Sequence, residues 1–193
     1  MPSPFRLGFV TGATPDKWAR TWRDRSRDPL ELVPLEEDQQ EVAVRAYEVD
    51  AVLARLPVDR DGLHCIPLYE ERVVAVVGHE HVATVVDELG TEDLADEQLV
   101  APHRSGWTPR AEQLDWPPMT VADAVETVAA GTGVLLVPMS VARLHQRKDV
   151  TYRPVHDLPS TTVGLVWRTD NEDPRVQTFI GIVRGRTANS SRD

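Results

Sequence analysis

With 193 residues, 41% of them hydrophobic and 27% charged, the chain has the composition of an ordinary soluble globular protein, long enough for one large domain or two smaller lobes. A formal net charge of −10 and a pI near 5.0 repel a phosphate backbone, so direct nucleic-acid binding by this chain is not expected. Cys65 is the one cysteine, which excludes an internal disulfide; the first residues carry no long apolar run, and no stretch approaches the ~20 apolar residues of a membrane span, so the expected compartment is cytoplasmic.

Phe5 to Val10 reads as a strand followed by the small residues Thr11, Gly12 and Ala13. Thr14-Pro15 then predicts an N-cap with proline in the first helical position, and Trp18, Ala19 and Trp22 give the helix an apolar face that Pro29 ends. Leu30 to Val33 is a second strand. Asp38 with Glu41 forms a capping-box pattern for a helix toward Tyr47, and Val49 to Arg55 closes the unit as a third strand. This β-α-β-α-β order favours a parallel sheet, whose ligands sit beyond the carboxyl ends of the strands.

Leu63 to Tyr69 and Arg72 to Val77 are nearly continuous, as expected of one long strand passing between lobes. A second α/β unit follows, with a polar helical stretch at Thr91 to Glu97, a short strand at Gln98 to Ala101 and a polar loop from Pro102 to Thr108. Thr120 and Asp123 cap a helix whose Val121, Ala124, Val125 and Val128 recur at i, i+3, i+4 and i+7. Gly131 and Gly133 end it, Val134 to Val137 is a buried strand, and Pro138 opens a short helix over Met139 to His145. Strands at Val150 to Val155 and Thr162 to Trp167 precede a helix capped by Asp173-Pro174, with Val176, Phe179, Ile180 and Val183 on one stripe. The tail Thr187 to Asp193 is polar and expected to be mobile.

Several landmarks resemble, in order and spacing, the effector-binding domain of LysR-type transcriptional regulators. They are the run Phe5 to Val10, the strand Asp50 to Leu56, Leu68-Tyr69-Glu70-Glu71 leading to Gly78-His79, Val128 to Val134 through Val137-Pro138, and the closing Val166-Trp167-Arg168 strand with the Phe179 helix. The resemblance covers nearly the whole chain. It implies a type 2 periplasmic-binding-protein-like α/β fold: lobe I from 1–71 and 162–193, lobe II from 72–161, joined by a two-strand hinge. Such regulators carry a helix-turn-helix and a linker helix ahead of this domain, whereas Met1 stands a few residues before the first predicted strand. A stand-alone sensor and a piece of a longer regulator are the two expectations.

Candidate ligand positions lie at strand ends. Thr11, Gly12, Ala13 and Thr14 follow the first strand, where hydroxyls and backbone N–H groups can hold an anionic or carbonyl ligand; Pro15 removes one donor, Asp16 adds an opposing charge, and the plainer role of Thr14 is a helix cap. Pro34 and Leu35 after the second strand, and Arg55, Leu56 and Pro57 after the third, occupy the same rim. Arg55 suits a bidentate pair with a ligand carboxylate, or equally a surface salt bridge. The resemblance implies that His103, Arg104, Ser105 and the segment Gly131, Thr132, Gly133 face the cleft from lobe II. Read alone, Gly131-Thr132-Gly133 is a helix C-cap, and because it follows a helix it is no dinucleotide fingerprint.

His79-Glu80-His81 lacks the histidine spacing of a zinc-protease helix, and no cysteine accompanies it, so no metal is expected. Ser105 near His103 has no nucleophile-elbow glycines, Cys65 falls inside a strand pattern, and neither a catalytic constellation nor a cofactor motif is found. The function expected is therefore small-molecule effector sensing, in which a metabolite, such as a carboxylate, shifts an open–closed equilibrium without chemistry. An enzyme on the same bilobal fold and a ligand-free interaction module that modulates a full-length regulator are the alternatives. A homodimer is also expected. Trp18 and Trp22, and Val121, Val125 and Val128, form apolar stripes on helices that meet across an antiparallel dimer in the family; the plainer reading packs both stripes on their own sheets.

Overall fold

A computed structural model describes residues 3–185; the predicted tail Thr187 to Asp193 lies outside the described residues. The elements in chain order are β1 (Phe5–Val10), α1 (Asp16–Arg25), β2 (Leu30–Leu35), α2 (Gln40–Arg45), β3 (Ala51–Arg55), β4 (Leu63–Glu71), β5 (Val73–Gly78), α3 (Val121–Ala129), β6 (Leu135–Pro138), α4 (Met139–Leu144), β7 (Val150–Pro154), β8 (Thr161–Arg168) and α5 (Pro174–Val183). The chain divides into two compact units. The first runs up to Glu70 and resumes at Thr162, and the second spans Glu71 to Thr161.

The first unit carries a five-stranded sheet in the order β2-β1-β3-β8-β4. The crossover helices make β1 parallel to both β2 and β3, as the β-α-β order requires, while β8 returns antiparallel to β3. Phe5, Trp22 and Phe179 form the aromatic centre of this core: Phe5 and Trp22 stack at 5.0 Å, and Phe179 approaches them at 5.8 and 5.9 Å. Trp18 and Trp22 are both buried there, so the α1 stripe expected at a dimer contact is used up by its own sheet. The Trp22 indole N–H donates to the Asp28 carbonyl at 2.9 Å.

Helix starts depart from the predicted caps. Pro15, not Thr14, is the N-cap of α1, with no side-chain bond; its carbonyl accepts from the Trp18 and Ala19 N–H groups, and Thr14 is exposed. A residue before proline is held extended, which keeps Thr14 one position too early to cap. The Asp38/Glu41 capping box does not form either. Glu37–Gln39 is a single 3-10 turn running into α2, and the Glu41 carboxylate instead accepts from the Asp59 N–H at 3.3 Å.

The second unit carries a three-stranded antiparallel sheet in the order β6-β5-β7. The expected long strand from Leu63 to Val77 is broken at Arg72, so that β4 and β5 belong to different sheets. Thr91–Leu94 is one 3-10 turn instead of a longer helix, and the predicted strand Gln98 to Ala101 shrinks to a bridge between Leu99 and Val134. Helix α3 forms as the sequence predicts: the Thr120 hydroxyl accepts from the Asp123 N–H, and the Asp123 carboxylate accepts from the Thr120 N–H. Its Ala124, Val125 and Val128 are buried against β5, β6 and β7, which removes most of the second stripe from any dimer surface.

Candidate functional site

In the first unit, the carboxyl ends of β1, β2 and β3 converge because the three strands are parallel and in register, with Val10 opposite Leu35 and Phe9 opposite both Pro34 and Leu53. The chain leaving β1 turns at Thr11-Gly12: the Ala13 N–H donates back to the Val10 carbonyl at 2.9 Å, and the Thr11 N–H to the Leu35 carbonyl at 3.3 Å. Gly12 has φ +89°, a conformation that a side chain disfavours. Thr11 and Gly12 are half-buried and Ala13 is buried, so this edge offers backbone groups more than hydroxyls.

Arg55 corrects the expectation made for it. It is 1% exposed, neither a surface salt bridge nor an open anchor for a carboxylate. Its guanidinium Nη1 donates to the Thr11 carbonyl and to the Glu37 carboxylate, both at 3.2 Å. Gln40, also buried, clamps the backbone of Arg55 from both sides: its amide donates to the Arg55 carbonyl at 2.9 Å and its amide oxygen accepts from the Arg55 N–H at 2.8 Å. Glu37 and Gln40 escape a reading by sequence, since only the fold sets α2 against the end of β3. A glutamine amid Asp38, Gln39 and Glu41 carries no mark of burial.

Pro34 lies inside β2 instead of beyond it, exposed on an edge strand where a missing N–H is tolerated. Leu56 is half-buried and Pro57 exposed, joined by a cis peptide.

The second unit separates two groups of residues expected to act together. From Leu99 the chain runs parallel to β6, which carries Pro102 and the His103–Ser105 turn toward the end of the sheet where Val73 pairs with Pro138. Gly131, Thr132 and Gly133 lie at the opposite end, where α3 closes beside Gly78, and Thr132 is exposed. Gly133 serves the backbone there, because its φ is +66° and a Cβ would collide with the Gln98 carbonyl oxygen. Gly131 and Gly133 instead border an open cavity of about 720 Å³ with Gly78, His79, Val82 and Lys148.

His103 is buried, with Nδ1 2.7 Å from the Ser105 Oγ and 3.3 Å from the Ser105 N–H. The same Oγ accepts from the Trp107 N–H at 3.2 Å, so the hydroxyl ties the loop together instead of standing free as a nucleophile. Arg104 is exposed on this turn. Of the His79-Glu80-His81 run, His81 is committed elsewhere, its Nε2 3.0 Å from Glu97 and its Nδ1 accepting from the Ala83 N–H. Among the described residues no group of three His, Cys, Asp or Glu could hold a metal ion. Burial pushes the Cys65 thiol above its ordinary pKa, with Arg60 opposing the shift.

The LysR substrate binding domain family matches residues 25–188 of the chain. The chain belongs to this family. The HTH-type transcriptional regulator AlsR of Bacillus subtilis is 26% identical over 91% of the chain and 64% of its own length, and the Hca operon transcriptional activator HcaR of Escherichia coli is 27% identical over 94% and 67%. A probable hydrogen peroxide-inducible genes activator of Mycobacterium avium is 27% identical over 81% of the chain and 56% of its length. The LysR-family chain thus spans about two thirds or less of these curated relatives, which are regulators rather than enzymes.

Among solved structures, the BenM effector binding domain with its effector benzoate superposes with a TM-score of 0.75 at 22% identity, covering 94% of this chain and 90% of that one. The OxyR regulatory domain of Pseudomonas aeruginosa, as its C199D mutant, gives 0.72 at 20% identity, covering 95% and 97%. These likenesses establish the type 2 periplasmic-binding-protein-like fold for this LysR domain. No helix among the described residues is long and apolar enough to cross a membrane.

Proposed function

We propose that this LysR substrate binding domain is the effector-sensing part of a cytoplasmic transcriptional regulator and performs no chemistry. The family match over residues 25–188 carries the reading. The first unit supports it by gathering Thr11, Gly12, Ala13, Arg55 and Leu56 at the carboxyl edge of a parallel sheet, the place where open α/β sheets take ligands. In the second unit, taken by itself, His103, Arg104 and Ser105 are proposed as ligand contacts; Thr14, Pro34, Pro57 and the Gly131–Gly133 turn have weaker claims. A small molecule that prefers one conformation shifts the population by its difference in affinity, and that shift is the signal.

A differential scanning screen of the chain against carboxylates, amino acids, amines and aromatic acids tests the reading. A true effector raises the melting temperature saturably, equivalent to about 2.7 kcal/mol at a concentration a hundredfold above Kd. Absence of any saturable rise across the panel would overturn it. A thiol-based peroxide response ending in a disulfide within this domain is disfavoured, because the second cysteine such a bond needs is missing from the sequence.

We also propose a homodimer in which α1 of one copy meets α3 of the other, on their exposed faces and not through the buried stripes. Lys17, Arg20 and Arg23 are exposed on α1, while Ala122, Asp123 and Glu126 are exposed on α3, so the two faces differ in sign and a twofold axis repeats the contact. Light scattering across dilution checks this: the wild type should weigh as a dimer at tens of micromolar, and the double variant R20E/R23E as a folded monomer. A wild-type monomer would refute it.

A further inference from the structure

We propose that the open cavity beside the end of β5 is an additional binding site, and that it takes a zwitterion of the amino-acid or short-peptide class with an apolar side chain, its carboxylate on Lys148 and its ammonium on Glu80 and the carbonyls that end α3. The site lies wholly within the second unit, at the end of the sheet opposite the His103–Ser105 turn. It is built of residues that the sensing function proposed above does not need, so each can fail without the other.

The cavity has a volume of about 720 Å³, within the range of roughly 300–1,000 Å³ that small-molecule sites occupy. The Gly78–Val82 turn, the end of α3 and Lys148-Asp149 border it. Most charges around it are already paired. The Arg147 guanidinium donates to the Asp149 carboxylate through Nε at 3.0 Å and Nη2 at 2.9 Å, and to Glu126 through Nη1 at 3.3 Å. His81 is committed to the Ala83 N–H at 3.1 Å and to Glu97 at 3.0 Å. Two charges remain. The Lys148 ammonium and the Glu80 carboxylate border the same cavity, both exposed, and neither pairs with the other or with any further group among the described residues. Opposite charges that share a cavity without closing a salt bridge leave a gap for a ligand that carries both signs.

The backbone shapes the cavity and adds to its acidic side. Gly78 lets the end of β5 meet the end of α3, since a Cβ there would stand 3.0 Å from the Val128 carbonyl oxygen. The His79 N–H donates to the Asp149 carbonyl at 3.0 Å, which fixes the Lys148 segment beside the turn that carries Glu80. At the close of α3 the Gly131 N–H donates to Val128 and the Thr132 N–H to Thr127, whereas the Ala129 and Ala130 carbonyls, also on the cavity, accept no hydrogen bond among the described residues. They carry the partial negative charge of a helix carboxyl terminus and suit the donors of an ammonium group. Val82, 74% exposed, supplies an apolar wall, and Val85 shares its face because side chains three apart in a 3-10 turn eclipse. A simple carboxylate meets Glu80 and the helix carbonyls as like charges, and a simple amine meets Lys148; a zwitterion avoids both conflicts.

Calorimetry on the whole 193-residue chain tests this with L-leucine, its singly charged analogues 4-methylpentanoate and 3-methylbutylamine, and L-leucyl-L-leucine for a wider charge separation. L-Leucine or the dipeptide should bind saturably and more tightly than either analogue, and the tighter of the two identifies the charge spacing. E80Q and K148Q should each weaken that binding about fivefold. Neither residue has a partner to lose among the described residues, so both variants should keep the wild-type melting temperature without ligand. D87N, an exposed acid outside the cavity lining, should leave binding within about twofold. E80Q should not weaken 4-methylpentanoate, nor K148Q 3-methylbutylamine, since each analogue lacks the charge that the altered residue meets. Saturable zwitterion binding that both variants leave intact would place the ligand elsewhere and overturn this site while keeping the sensing function. Equal losses in D87N would also overturn it, because the effect would then be a diffuse field, as would an analogue that binds more tightly than both zwitterions. If no probe binds the wild type the site fails, and the broad screen above still decides sensing by itself.

Discussion

Replacing Trp22 by alanine removes the centre of the first unit's core and decides between two uses of α1. The side chain is fully buried, stacks on Phe5 at 5.0 Å with an interplanar angle of 15°, and touches Phe179 at 5.9 Å. Truncating a buried tryptophan costs about 3–5 kcal/mol through lost transfer energy and the cavity left behind. Each aromatic pair contributes about 0.5–1.5 kcal/mol beyond area, and the indole bond to the Asp28 carbonyl about 1 kcal/mol. These contributions overlap because the groups touch one another, so about 4–5 kcal/mol is expected for W22A. W22F, which keeps the stacking and loses the bond, should cost about 1–2 kcal/mol. Urea unfolding followed by far-UV circular dichroism measures both, and hydrogen exchange at the β1 and β3 amides assigns the loss to the first unit. A W22A change within about 1 kcal/mol of wild type would refute this packing account. So would a W22E chain that stays folded and merely dissociates, since that outcome belongs to a surface tryptophan.

Further outcomes follow from single positions. G133A should destabilise the second unit by about 3 kcal/mol or more, because left-handed strain adds to a collision with the Gln98 carbonyl oxygen, whereas G131A, with φ +87° and no atom within 4 Å, should cost only about 1–2 kcal/mol; thermal unfolding of the pair tests the difference. Hydrogen bonds from Arg175 hold the Asp173 carboxyl below its ordinary pKa. A depressed folded-state pKa gives stability that is present above the unfolded value of about 4 and is lost as the pH falls through the folded value, so D173N, which keeps a capping side chain, should flatten the acid limb of a stability–pH curve. An unchanged acid limb would contradict this. Finally, a chain of net charge −10 should give no sequence-specific gel shift with duplex DNA at moderate salt, and a specific shift would refute that expectation.

Much of the fold is legible in the sequence wherever local pattern and burial coincide. The 3.6-residue period in Val121, Ala124, Val125 and Val128 with the Thr120/Asp123 pair specifies α3 and its start, and Asp173 caps α5 through the Arg175 N–H as its sequence indicates. The β-α-β-α-β order makes the first three strands parallel, since such neighbours need crossover connections. Acidity and the single cysteine constrain partners and redox chemistry without any coordinates.

Only the tertiary structure decides what depends on residues distant in sequence. Arg55 looks like a rim cation until the turn after β1, the segment after β2 and Gln40 close around it from 44, 18 and 15 residues away. The antiparallel order of β6-β5-β7 is likewise unread, because a run such as Val134 to Val137 is apolar on both faces in either direction. The stripe carrying Trp18 and Trp22 shows that α1 has an apolar face, but its partner is chosen by the sheet that Phe5 and Phe179 complete. Periodicity reports that a face is buried; what buries it is a long-range contact, and the sequence of one element does not contain it.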